Sequence, residues 1–142
     1  MRSVAVIPAR MASSRFPGKP MALIHGIPMI GHCFYRVSMC PEIDATYVAT
    51  CDQEIFDYVE SIGGSAIMTS SKHERACDRA AEAMLKIEEN TGRKIDILVM
   101  VQGDEPMDTP QMIRDSLVPI KSDQSVNIVN LMGKIKSLDE FE

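Results

Sequence analysis

Short uninterrupted apolar runs alternate along the chain with longer stretches in which apolar residues recur at helical spacing. The first run, Ser3–Pro8, is rich in β-branched residues and lacks polar alternation, which is typical of a strand covered on both faces of a sheet. The pattern predicts five strands, at 3–8, 45–50, 65–70, 95–101 and 125–132. A brief extended piece with a turn around Gly26 is predicted before the first helix.

Four stretches between these strands have the spacing of amphipathic helices. Asp52 is placed to cap the second helix, and the Ser71-x-x-Glu74 spacing has the form of a capping box at the start of the third. The face of the third helix that is predicted to be buried consists of Cys77, Ala80, Ala81, Met84 and Leu85. The fourth helix is predicted to run from Pro110 to about residue 120.

The resulting order alternates strand and helix from one end of the chain to the other. This alternation predicts an α/β fold, with a doubly wound, mostly parallel sheet and helices on both of its faces. No repeat, low-complexity segment or flexible linker divides residues 1–142, so one domain is expected. A charged tail follows the last strand without a further element, as in a small complete domain or in the front portion of a longer one.

Composition narrows the classes of function. The 142 residues include 45% hydrophobic and 25% charged residues, which is ordinary for a soluble globular protein. The net charge of −5 argues against nucleic acid as the main partner, and no apolar run approaches the ~20 residues of a membrane helix. The N-terminus does not resemble a secretory signal, so a cytoplasmic protein is expected. The cysteines lack CxxC spacing and are predicted to be reduced and buried: Cys33, Cys40, Cys51 and Cys77.

The loop after the first strand, ARMASSRFPGK, concentrates positive charge on an otherwise acidic protein. It is not a Walker A loop, because Ser13 stands at the early glycine position and Pro20 follows the GK pair. Arg10 and Arg15 can each pair with two phosphate oxygens, and Lys19 supplies a compact charge for a leaving phosphate. The loop is interpreted as a triphosphate clamp made of side chains, with a solvated basic turn as the alternative.

A second polar segment, QGDEP, directly follows the IDILVMV strand. Ligands of open parallel sheets bind beyond the carboxyl ends of the strands, near the point where the strand order reverses, so both segments are candidates by position. Asp104 is placed to hold a hard cation such as Mg²⁺, which also takes water and phosphate oxygens as ligands. Gln102 is placed to contact a polar ligand, and a solvated acidic turn is the alternative for the whole segment.

Several segments, taken in order, carry a resemblance to a known family. They are IPARMASSRFPGKPM, VATCDQEI, the glycine pair at 63 and 64, IMTSSKHERACDR and VMVQGDEP. In this order and spacing, from residue 4 to about residue 113, they resemble the CMP-Kdo synthetases (3-deoxy-manno-octulosonate cytidylyltransferases). The first motif alone indicates the wider superfamily of sugar nucleotidyltransferases, which includes the sialic-acid cytidylyltransferases, and its combination with VQGDEP is specific.

The resemblance implies a Rossmann-like nucleotidyltransferase domain that, with Mg²⁺, transfers CMP from CTP to the anomeric hydroxyl of a sugar acid and releases pyrophosphate. It implies catalytic roles for Arg10 and Lys19, and Asp104 as a ligand of Mg²⁺. The nucleotide-binding residues that it implies are Ala9, Arg10, Ser13, Arg15, Lys19, Asp78 and Gln102. It also implies a cytoplasmic step of lipopolysaccharide precursor synthesis, and a homodimer.

Two departures from the family limit what the resemblance implies. The family segment Ser-Gly-Thr-Asp-Arg reads RACDR at 75–79, so the small hydroxyl-bearing neighbours that would line the pocket for base and ribose are absent. The surviving Asp78 and Arg79 have a surface pair as their alternative reading. Family members are also longer, and their C-terminal part supplies the sugar-acid pocket, a second Mg²⁺ aspartate and most dimer contacts. The other hypotheses are a nucleotide-binding domain without turnover, and a nucleotidyltransferase with another nucleotide or sugar substrate.

Overall fold

The computed structural model describes residues 2–12, 18–73, 75–102 and 110–122. In chain order its elements are β1 (Ser3–Pro8), a 3-10 turn (Lys19–Met21), β2 (Leu23–Ile24), β3 (Ile27–Pro28), α1 (Met29–Ser38), β4 (Ala45–Thr50), α2 (Gln53–Ser61), β5 (Ser65–Met68), α3 (Ala76–Thr91), β6 (Ile97–Met100) and α4 (Pro110–Ser122). The alternation of strand and helix is confirmed over these residues. The strand predicted at 125–132 and the tail after it lie outside the described residues.

Four parallel strands form one sheet in the order β5-β4-β1-β6. The central strand β1 pairs on one side with β4, where Val6 lies opposite Tyr47, and on the other with β6, where Val6 lies opposite Met100. The chain builds outward from β1 through β4 to β5 and then returns to the far side of β1. The strand order therefore reverses between β1 and β6, which confirms the predicted doubly wound fold.

The hydrophobic core lies on both faces of β1, whose six residues are all buried. Ile7 packs in a cluster with Ile30 of α1 and Ile55 of α2. Val6 points to the opposite face and packs in a second cluster with Ile87 of α3. Burying an aliphatic side chain of this size stabilises the fold by about 1.5–3 kcal/mol, so a strand that is apolar on both faces is the natural centre of the sheet.

The buried face of α3 differs from the predicted one. The residues that it buries are Arg79, Ala80, Ala83 and Ile87. Cys77 and Ala81 are exposed, and Leu85 keeps 62% of its surface accessible. The helix is therefore rotated relative to the prediction, because it turns the Arg79 side chain towards the end of β5 to meet Thr69.

The predicted capping box at the start of α3 is wrong. The helix begins at Ala76, with Arg75 at its N-cap position. Ser71 belongs instead to a turn that precedes the helix. The physical reason is that side chains of α3 itself hold residues 69–73 outside the helix, as described below.

The cysteines confirm the sequence expectation in part. Cys33 and Cys40 are buried, with exposed fractions of 1% and 2%, whereas Cys51 is half-buried and Cys77 is exposed. Burial also raises the pKa of the Cys40 thiol. The expectation of burial is wrong for Cys77 because the rotated α3 turns that face to solvent. Over the described ranges, no helix combines the length and the apolar character needed to cross a membrane.

Candidate functional site

The ends of the four parallel strands meet at one edge of the sheet, here called the carboxyl edge. Beyond β1 and β4, the Ala9 N–H donates to the Ala49 carbonyl over 2.9 Å. Beyond β6, the Val101 N–H donates to the Val6 carbonyl over 3.1 Å. Because the register of β1 and β6 continues past Met100, Gln102 leaves β6 beside the end of β1. The predicted residues Ala9, Arg10 and Gln102 therefore lie together at the point of strand-order reversal.

The loop that carries the predicted cations is closed by a backbone hydrogen bond. The Gly18 N–H donates to the Met11 carbonyl over 2.8 Å. Arg10 and Lys19 flank this bond, one on each side, so two of the three predicted clamp cations lie at the same end of the loop. Gly18 has φ of 76°, a left-handed conformation that favours glycine, and Lys19 then opens the 3-10 turn. The third clamp cation, Arg15, and the predicted nucleotide-binding residue Ser13 lie outside the described residues.

Asp52 holds the start of this loop at Met11, a role that the sequence did not reveal. Its Oδ2 accepts a hydrogen bond from the Met11 N–H over 2.8 Å. Its own N–H donates to the Thr50 hydroxyl over 3.1 Å, which ties it to the end of β4. Asp52 does occupy the N-cap position of α2, but within the described residues its side chain makes no capping hydrogen bond. Met11 is therefore fixed through both its N–H and its carbonyl.

Asp78 and Arg79 do not form the surface pair considered as an alternative. Asp78 is exposed on the first turn of α3 and lies 3.7 Å from the Arg75 guanidinium, in a pair that is too solvated to contribute much. Arg79 is instead buried, with an exposed fraction of 3%. Its Nη1 donates to the Thr69 hydroxyl over 2.6 Å and lies 3.3 Å from the Ser70 carbonyl. Asp78 therefore faces solvent, whereas Arg79 lies in the interior.

Glu82 contacts a second set of polar groups, which the sequence did not reveal. Its Oε1 accepts hydrogen bonds from the Ser70 N–H over 3.0 Å and from His73 Nε2 over 2.7 Å. Its Oε2 pairs with Lys86 Nζ over 3.0 Å. Burial by itself would raise the pKa of the Glu82 carboxyl, but these donors outweigh it and lower the pKa to about 2. The i, i+3, i+4 spacing of charges along α3 was the available signal.

The predicted metal ligand, Asp104, lies outside the described residues. Over the part of the chain that the structure describes, no group of three or more histidine, cysteine, aspartate or glutamate side chains is arranged to hold a metal ion. The assignment of Mg²⁺ to Asp104 therefore stays a prediction from sequence.

Comparison with known proteins identifies the family. The sequence model of the family described as Cytidylyltransferase matches residues 4–142. The chain belongs to the cytidylyltransferase family. Two curated relatives, both named 3-deoxy-manno-octulosonate cytidylyltransferase, come from Geobacter metallireducens (41% identical) and Thermodesulfovibrio yellowstonii (42% identical). Each alignment covers 99% of this chain but 53% and 56% of the relative, so the chain spans about half of their length. The resemblance given above is confirmed.

Solved structures agree with this assignment. A CMP:2-keto-3-deoxy-manno-octonic acid synthetase complexed with CTP has a TM-score of 0.82 and 39% identity to the chain. The match covers 89% of this chain and 50% of that one. A cytidylyltransferase from Leptospira borgpetersenii has a TM-score of 0.69 at 24% identity and supports the fold alone. The chain therefore shares the Rossmann-like nucleotidyltransferase fold of these structures.

Proposed function

We propose that this chain carries the nucleotide site of an enzyme that transfers CMP from CTP to a sugar acid of the 3-deoxy-manno-octulosonate type and releases pyrophosphate. The observation that carries the proposal is the closed loop at the strand-order reversal, where Arg10 and Lys19 flank the bond between Gly18 and Met11. The family match and the 41% and 42% identical relatives supply the reaction class.

The chemistry needs stabilisation of negative charge more than it needs a covalent intermediate. The sugar-acid hydroxyl attacks the α-phosphorus in line and loses its proton to solvent, the P–O bond to the leaving pyrophosphate breaks, and charge develops on the departing oxygens. Arg10 and Lys19, with Arg15, would hold the triphosphate and neutralise that charge. Ala9 and Ser13 would contact the nucleotide from the same loop, Gln102 from the end of β6 and Asp78 from α3.

Asp104 would hold Mg²⁺ in this proposal. Its carboxylate is a hard oxygen donor, and it comes two residues after Gln102, which leaves β6 at the carboxyl edge. The bound ion would neutralise phosphate charge and orient the triphosphate. A single protein carboxylate suits Mg²⁺, since this ion usually keeps water and phosphate oxygens as its other ligands.

A nucleotide-binding domain without turnover is the second candidate. The chain spans about half the length of the curated relatives that it matches. The RACDR segment at 75–79 makes a nucleotide other than CTP an alternative substrate. Sialic acid is the alternative sugar acid. A cytoplasmic location, a role in lipopolysaccharide precursor synthesis and a homodimer are proposed on the same family grounds.

Calorimetric titration with CTP and a pyrophosphate-release assay with CTP, sugar acid and Mg²⁺ test the proposal together. We expect CTP to bind more tightly than the other three nucleoside triphosphates. Lys19→Ala should weaken CTP binding by about tenfold or more, since a charge-assisted phosphate contact is worth roughly 1.5–3 kcal/mol.

Lys94→Ala is the matched control, because Lys94 is an exposed lysine just before β6, at the opposite edge of the sheet. It removes the same charge and should leave CTP binding unchanged. Binding without pyrophosphate release would favour the second candidate. Equal losses in Lys19→Ala and Lys94→Ala would contradict the clamp.

A further inference from the structure

A row of three charged side chains on α3 holds the end of β5 and the loop that follows it. The loop comprises residues 69–73 and is here called the β5–α3 loop. Arg79 donates to the side chain of Thr69, and Glu82 accepts from the Ser70 N–H and from His73. The third side chain of the row, Lys86, donates to the Met68 carbonyl over 2.6 Å, and it also pairs with Glu82.

These contacts fix the path of the loop, because α3 side chains take the place of water as hydrogen-bond partners of its backbone. Residues 79, 82 and 86 lie on one face of the helix, so they act on the loop as a continuous row. All three reach backbone groups that water could otherwise satisfy: Glu82 the Ser70 N–H, Lys86 the Met68 carbonyl and Arg79 the Ser70 carbonyl. Burial of a guanidinium is unfavourable unless it is hydrogen-bonded, so the Arg79 contacts are costly to break.

The β5–α3 loop opens onto the carboxyl edge that holds the proposed triphosphate clamp. β5 lies two strands from β1, a separation of about 10 Å, which is comparable to the length of a nucleoside. The loop comes shortly before α3, whose Asp78 the proposed function gives as a contact of the nucleotide. Side chains that fix the loop therefore act close to the part of the carboxyl edge proposed to hold the nucleoside.

We propose that Glu82 is a positioning residue for the nucleoside half of the CTP site, acting through the β5–α3 loop. The inference rests on the proposed function. Glu82 is the centre of the row because it contacts the loop at both Ser70 and His73, and it also contacts Lys86 on its own helix. Its carboxylate sets the loop without touching the reacting phosphates.

Two ligands separate positioning from general folding in a calorimetric test. CTP uses both halves of the site, whereas inorganic tripolyphosphate uses the cation clamp alone. Glu82→Ala should weaken CTP binding by about tenfold, as expected when a charged acceptor of several hydrogen bonds is lost. Binding of tripolyphosphate should stay within about twofold of the parent protein, since the clamp lies two strands away.

Three further variants make the test specific. Glu82→Gln keeps an oxygen that accepts from Ser70 and His73, so it should restore CTP affinity to within about threefold of the parent protein. His73→Ala removes one loop contact while leaving Glu82 in place, and it should weaken CTP binding in the same direction, by about threefold. Glu89→Gln changes an exposed glutamate of the same helix and should have no effect.

The outcomes separate the two proposals. Unchanged CTP affinity in Glu82→Ala and His73→Ala would overturn the positioning role while leaving the proposed function intact. Equal losses of CTP and tripolyphosphate, or a Glu82→Gln variant as weak as Glu82→Ala, would likewise overturn it. A parent protein that binds tripolyphosphate but no nucleoside triphosphate would overturn the proposed function, and the positioning role with it.

Discussion

Single residues at the carboxyl edge act mainly by fixing backbone. Asp52 illustrates why the sequence could not assign this role. An aspartate that follows a strand and precedes a helix fits a helix cap, and its side chain also fits a bond to a neighbouring loop. The choice depends on where Met11 lies, which is a long-range property of the fold. The clamp of cations stays a prediction from sequence, which did not reveal that Asp52 holds the backbone next to Arg10.

Gly18 gives a direct test of the closed loop. Gly18→Ala should lower the free energy of unfolding by about 1–2 kcal/mol, because its φ of 76° is unfavourable for a residue with a Cβ. Contact adds little, since the new Cβ would lie 3.4 Å from Met11 Cε. We expect CTP binding to weaken as well, because Lys19 follows directly.

Gly63→Ala is the matched control for this loop. Gly63 has φ of 81° and open space around a built Cβ, and it precedes β5 at the opposite edge of the sheet. Thermal unfolding with and without CTP would show a similar loss of stability in both variants. The loss of CTP affinity should be confined to Gly18→Ala, and a loss in Gly63→Ala as well would contradict the role of the loop.

At the scale of elements, the strands were predictable and the rotation of α3 was not. Apolar runs such as Ser3–Pro8 mark a buried strand whatever its neighbours are. In α3, small and medium apolar residues surround much of the helix, so periodicity alone does not select one face. The selection comes from Arg79, whose hydrogen bonds to the β5–α3 loop turn that side inward. Hydrophobic periodicity does not predict that an arginine is buried.

Two aliphatic residues of α3 test the observed rotation. Ile87 is fully buried in the cluster with Val6, whereas Leu85 keeps 62% of its surface accessible. Ile87→Ala should lower the free energy of unfolding by about 2–5 kcal/mol, through lost burial and the cavity left behind. Leu85→Ala should change it by less than about 0.5 kcal/mol. Urea unfolding of both variants measures the difference. A larger loss of stability in Leu85→Ala than in Ile87→Ala would mean that α3 buries the face predicted from sequence.

For the whole molecule, the order of elements was enough to predict the doubly wound sheet. Alternation of strand and helix restricts the connections to a few topologies. The ligand site at the strand-order reversal stays a prediction that follows from this topology. The spacing of Glu82 and Lys86 indicated their ion pair. The contacts of Glu82 with the loop could not be predicted, because they join a helix to a loop over 9 and 12 residues. Side-chain networks of this kind depend on the assembled fold rather than on local pattern.

The four cysteines report on that assembled fold without any engineered residue. Cys77 is exposed and should react with a thiol reagent first, followed by the half-buried Cys51. Cys33 and Cys40 lie in the core cluster with Ile7, and burial raises the pKa of the Cys40 thiol, so both should react only when the molecule opens. Mass spectrometry of timed labelling would resolve these phases, and the slow one should accelerate in Ile87→Ala. Cys77→Ser should remove the fast phase alone, whereas labelling of Cys33 at the rate of Cys77 would mean that the core described for α1 is not closed.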